Sequence, residues 1–250
     1  MRYNISFSAE FQDMLVADLV LSLAFESIFI FGNIAAAMQN ILAFLYYFPM
    51  FFIAITLVFV LHEYMHKVTA QRFGAIAAFR RSDIGLIITF FSSLIGFLIG
   101  LPGATMIYSS SFTKKEEGYV SLAGPLTNFA VFLIFFALGA LIFPNFIGNV
   151  LFGNLLRTFA NFSHLSYLYD TIIVTMFIAL LLAFYNMLPI FPLDGSKVLR
   201  WDKRVYAASM VALFAIMALV IGIGALFGSL IFFMIFAFVL SLFYRGLFRF

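Results

Sequence analysis

The chain has 250 residues, of which 65% are apolar and 10% charged, with a formal net charge of +3 and no cysteine. Soluble domains average about 45–50% apolar and about 25% charged residues, so this much hydrophobe needs lipid to cover it. The composition therefore excludes an ordinary soluble domain, thiolate metal sites, disulfides and thiol catalysis. It gives no sign of nucleic-acid binding, and it makes the lipid bilayer a partner.

A bilayer core of about 30 Å takes roughly 20 helical residues. Seven apolar runs approach that size, beginning with 14–37. The segment before it, Met1–Asp13, is polar, carries Glu10 and Asp13, and leads to no small-residue cleavage site, so a cleavable signal is not expected. Asp18 and Glu26 stand eight residues apart in this run, roughly on one helical face, and should point into the bundle or toward water.

The second run, 41–66, ends in His62-Glu63-Tyr64-Met65-His66. Helical positions i and i+4 share a face, so the two imidazoles can grip one metal ion while Glu63 reaches a water on it. This is the HExxH zinc signature, with the glutamate as general base. Three ionisable side chains within five residues near membrane depth would cost several kcal/mol unpaired, which favours a metal site over coincidence. The helix is expected to continue to Phe73 and stop at Gly74 as its C′ glycine.

The third run, 84–108, contains Ser92, Ser93, Gly96, Gly100 and Pro102-Gly103, which suit a bent or unwound segment. The fourth, 119–143, opens with Ala123-Gly124-Pro125-Leu126-Thr127-Asn128, whose small residues suit close helix packing. A non-spanning loop at 144–170, on the far face, holds His164, expected to be solvated. The fifth run, 171–191, carries Asn186, able to donate to a substrate carbonyl or simply to a neighbouring helix. Pro189 and Pro192 then stop the helix, and Asp194-Gly195 follows in broken backbone, tolerated at membrane depth where it lines a polar cavity. Runs at 205–224 and 228–244 complete the chain. No remaining segment is long enough to fold alone, so 1–250 reads as one membrane domain.

Basic residues discriminate between topologies. If all seven runs cross, the fourteen lysines and arginines divide 6 to 8; if 84–108 enters and leaves on one face, thirteen share a side and only Arg157 opposes them. The positive-inside rule selects the second arrangement. The expected fold is thus an all-α polytopic membrane protein of six transmembrane helices. A re-entrant or membrane-embedded hairpin lies between the second and third, and both termini are in the cytoplasm.

A catalytic zinc takes three protein ligands and keeps a position for water. The third ligand is His164 or a carboxylate, and Asp194 is the strongest candidate; its competing role is to cap the following helix. Charge bias and metal geometry agree here, because only with the hairpin does Asp194 finish on the same membrane face as His62 and His66.

The HExxH at a membrane helix end, Ala-Gly-Pro at 123–125 and Asn-x-x-Pro-x-x-Pro-x-Asp-Gly at 186–195 together resemble the site-2 protease family of intramembrane zinc metalloproteases. The resemblance covers roughly 41–205, in order; the hydrophobic hairpin is longer than the short sheet-like insert of compact members and resembles certain archaeal forms, without a PDZ or CBS domain. It implies one zinc held by His62, His66 and Asp194, Glu63 as the base, and Asn186 beside the substrate. It also implies a membrane-anchored protein as substrate, cut within or near its spanning segment, in the cell membrane with the site open to the cytoplasm. An extended substrate is expected to add against a strand edge within 75–118. The rival reading is a metal transporter or an inactive protease-like protein; paired repeats typical of transporters are not found. Neither the substrate nor the oligomeric state is legible.

Overall fold

The structure is a computed structural model and describes residues 7–96, 98–108, 112–152, 166–228 and 230–231. Helix α1 spans Phe7–Phe31, shorter at its end than the apolar run because the chain turns at Gly32 (φ 80°). A brief helix α2, Ile34–Gln39, follows, with the Asn33 side chain accepting from the Ala36 amide as N-cap.

The next helix is continuous over Ile41–Arg72 in three parts: α3 (Ile41–Ile55), a π turn (Thr56–Val60) and α4 (Leu61–Arg72). π turns interrupt α-helices frequently at functional sites, and this one ends two residues before His62. Its first residue is tied to α1, since Thr56 Oγ1 donates to Asp18 Oδ2 at 2.6 Å. The helix stops as the sequence indicates. Gly74 adopts φ 76°, and the amides of Gly74 and Ala75 return to the carbonyls of Gln71 and Ala70, the hydrogen-bond pattern of a Schellman cap.

Residues 84–108 do not form one long helix. They follow strand β1 (Ile76–Arg81) and divide into a 12-residue helix, α5 (Asp83–Leu94), and strand β2 (Gly103–Tyr108). At about 1.5 Å per residue α5 is about 18 Å long, well short of a bilayer core. β2 pairs antiparallel with β1, with Arg81 opposite Gly103 and Ile76 opposite Tyr108, so the chain between leaves and returns at one point. The two-stranded sheet is an addition to the all-helical expectation. Its pairing joins residues far apart in sequence, and β1 lies outside every apolar run.

Helix α6 (Lys114–Ile142) begins with a capping box between Thr113 and Glu116 and carries Pro125 within it. After α7 (Phe146–Phe152) comes α8 (Tyr167–Asn186), the most enclosed helix, burying Ile172–Leu180, Ala183 and Phe184 against α6 and α3. Helices α9 (Asp194–Trp201) and α10 (Lys203–Ile221) complete the described framework.

Among the described residues, five helices are long and apolar enough to cross a membrane: Phe7–Phe31, Ile41–Arg72, Lys114–Ile142, Tyr167–Asn186 and Lys203–Ile221. The run at 228–244 lies almost wholly outside the described residues, as do Arg157 and His164.

Ion pairs fasten α1 to α4 and to the sheet: Lys67 to Glu10 at 2.7 Å, and Arg80 and Arg81 to Asp13 at 3.3 and 3.5 Å. Glu26, farther along α1, is fully buried, and its carboxyl oxygens have no hydrogen-bond partner among the described residues.

Candidate metal centre

α4 and α9 bring four side chains together, and α6 packs against them. The i, i+4 spacing on α4 puts the His62 and His66 Nε2 atoms 3.0 Å apart with their rings nearly perpendicular. Asp194 Oδ2 stands 3.4 Å from His62 Nε2 and 3.1 Å from His66 Nε2. Glu63 lies beside them: one ligand atom from each of His62, Glu63 and His66 falls within 4.8 Å of the others. Exposure of 4% for His62, 9% for Glu63, 7% for His66 and 8% for Asp194 leaves the cluster largely sealed from solvent.

Asp194 reaches the cluster because α8 ends at Asn186 and the chain turns through Pro189 and Pro192 before α9 begins. Gly195 permits that turn to close: a Cβ there would lie 2.0 Å from the Met187 carbonyl oxygen. Leu193, not Asp194, is the N-cap of α9, and the Asp194 carboxylate faces the imidazoles and, through Oδ1, Lys197 at 3.6 Å. Burial alone would raise the carboxyl pKa of Asp194, but His66 and His62 beside it more than offset this and hold it well below the usual carboxylate range.

The sequence reading of Ala123–Asn128 as packing residues misses what α6 does here. The Val120 carbonyl accepts from His66 Nδ1 at 2.7 Å, which fixes that proton and turns Nε2 toward Asp194. The Asn128 amide meets His62 Nδ1 at 3.0 Å, while Asn128 Oδ1 is buried without a partner among the described residues. A half-turn of that amide makes Oδ1 the acceptor for His62 Nδ1–H, the tautomer that frees Nε2 for a metal. Gly124 lets α6 lie flush on both rings, since a Cβ there would come within 2.5 Å of His66 Nε2 and 2.6 Å of His62 Nε2. Two nitrogens and one carboxylate oxygen, with both Nδ1 atoms engaged from behind, make a donor set suited to a divalent zinc ion.

Asn186 is not drawn into this cluster by a hydrogen bond; its amide donates to the Leu182 carbonyl of its own helix at 3.0 Å. Glu63 has a partner the sequence does not suggest. Its Oε2 accepts from the Thr105 amide and is 2.8 Å from the Thr105 hydroxyl as well, both on β2.

The model for "Peptidase family M50" matches residues 50–223. The chain is 35% identical over 175 residues to the Methanocaldococcus jannaschii protein named "Putative zinc metalloprotease MJ0611", a match covering 66% of this chain and 81% of that protein. No solved structure gives a significant match.

Proposed function

Because the chain belongs to peptidase family M50, the site-2 protease family, and is a membrane zinc metalloprotease, we propose how its own residues carry out the cut. The substrate is a membrane-anchored protein, and the bond hydrolysed lies within or near its spanning segment. The observation that carries this is the meeting of His62 Nε2, His66 Nε2 and Asp194 Oδ2 within 3.4 Å, with Glu63 adjacent. Family membership supports hydrolysis over the transporter alternative.

His62, His66 and Asp194 would hold one zinc per chain, leaving a position for water. Zinc bound there supplies Lewis acidity, lowering the pKa of a water and polarising the scissile carbonyl. The Glu63 carboxylate takes a proton from the attacking water as its oxygen bonds to the carbonyl carbon. When the carbon–nitrogen bond breaks, Glu63 gives that proton to the leaving amide nitrogen. Asn186 acts as donor to the oxyanion, exchanging its bond to the Leu182 carbonyl for one to substrate. The substrate docks in extended form along the outer edge of β2, next to Glu63.

In the cell membrane, the chain crosses six times, residues 84–108 dip into the bilayer and return, and both termini and the site opening face the cytoplasm. The supporting pattern is that Lys67, Arg72, Arg80, Arg81, Lys114, Lys115, Lys197, Arg200, Lys203 and Arg204 all lie on elements flanking the cluster.

Purified protein in liposomes with an anchored test substrate should cleave it, lose cleavage with a zinc chelator and regain it with added zinc. Cleavage that persists through full chelation would overturn the reading. Within the site, Asn128→Leu should keep the membrane helix but weaken zinc binding about 10- to 100-fold, the usual effect of removing a group that orients a ligand. Chelator competition measures this, and unchanged affinity would leave Asn128 a packing residue only.

A further inference from the structure

Thr105 belongs to none of the motifs that mark the site, yet it holds the general base. In the β1–β2 ladder it stands opposite Phe79. The Phe79 amide donates away from the ladder to Glu10 Oε1 at 3.1 Å, and the Thr105 amide donates away on the other side to Glu63 Oε2 at 2.8 Å. Outward amides on both partners are the pattern of a non-hydrogen-bonded antiparallel pair, so this register aims the Thr105 amide at α4. The Thr105 hydroxyl is 2.8 Å from the same Oε2 and 3.1 Å from the Glu63 backbone carbonyl. Two donors from one strand residue thus converge on one oxygen of a carboxylate that must stay ionised and correctly aimed to take a proton. Hydrogen bonds to ionised acceptors are the stronger class, and two of them restrict the side chain far more than one.

We propose that Thr105 is a positioning residue for Glu63. Its amide and hydroxyl aim the carboxylate beside the His62–His66 pair, and its place on the outer edge of β2 ties the base to the strand along which an extended substrate docks. This deepens the proteolytic reading and rests on it. Helix α4 carries Glu63, but among the described residues the hydrogen bonds to its carboxylate come from the strand. The sheet is therefore part of the catalytic apparatus as well as a docking edge.

Thr105→Val isolates the claim, because valine keeps the backbone amide and the β-branched shape favoured in strands and removes only the hydroxyl. In the liposome assay with zinc-loaded protein, kcat should fall about tenfold, as for the loss of one charge-assisted hydrogen bond, with KM within about twofold of wild type. Zinc content should be unchanged, and Thr105→Ser should restore most of the rate. Independently of activity, amide exchange in a fragment covering 103–108 should be about tenfold faster in Glu63→Ala than in wild type.

A wild-type rate in Thr105→Val, a change in KM alone, zinc loss in that variant, or exchange indifferent to Glu63→Ala would each overturn the inference. Wild-type protein that holds zinc but cuts no substrate would instead bring down the proteolytic reading, and the role assigned to Thr105 with it.

Discussion

Glu63→Gln abolishes measurable cleavage, lowering kcat by at least about a thousandfold, while leaving zinc content near that of wild type. Proton transfer by a positioned base is worth about 10²–10⁴ in rate. Glutamine has nearly the same shape but cannot take a proton at neutral pH. Its amide oxygen still accepts from the Thr105 amide, now 2.8 Å from Glu63 Oε2, so the local structure should persist. The metal is left in place because the Nε2 atoms of His62 and His66 and Oδ2 of Asp194 already meet without Glu63. Steady-state cleavage beside elemental analysis checks both halves. Cleavage by Glu63→Gln at the wild-type rate would remove Glu63 from the reaction.

Gly124→Ala should eliminate zinc and activity together, although the change adds one methyl group to a residue that ligates nothing. That methyl would sit 2.5 Å from His66 Nε2 and 2.6 Å from His62 Nε2, closer than carbon and nitrogen can approach. The imidazoles cannot retreat freely: the Val120 carbonyl holds one at Nδ1 and the Asn128 amide meets the other. Both partners ride on α6, so moving α6 to relieve the clash strips the rings of the contacts that orient them. We expect zinc affinity to fall by at least about a hundredfold, exceeding the loss from one orienting residue. Helical content by circular dichroism should stay near wild type, because alanine is the better helix former. Zinc retained at full occupancy would mean that α6 does not press on the ligands.

The parts of this site legible in the sequence are those whose signal is local. His62 and His66 declare themselves by helical spacing, and the stop of the helix at Gly74 by a residue suited to positive φ. Asp194 is visible because Pro189 and Pro192 break an apolar run where a carboxylate follows. The break within 84–108 is legible in Gly96, Gly100 and Pro102-Gly103, but the pairing of β1 with β2 is not. The register that sets Thr105 against Glu63 depends on residues 42 positions apart, and no periodicity encodes that. Asn128 is different: an amide in a long apolar helix must find a partner, and that alone could have marked it. Its neighbours are small, and their close packing serves the imidazoles. The end of the fifth apolar run shows the same limit. Hydropathy carries on through Met187–Phe191, whereas α8 stops at Asn186 and the chain turns to bring Asp194 to His62 and His66.

Zinc content of detergent-purified protein, measured for wild type, His66→Ala, Asp194→Ala and Glu63→Gln in parallel, tests the central claim most directly. The ligand set proposed here predicts about one zinc per chain in wild type and Glu63→Gln, and loss in the two ligand variants. Full occupancy in Asp194→Ala would remove Asp194 from the ligands, and wild type that neither carries zinc nor takes it up when added would contradict the metal centre itself.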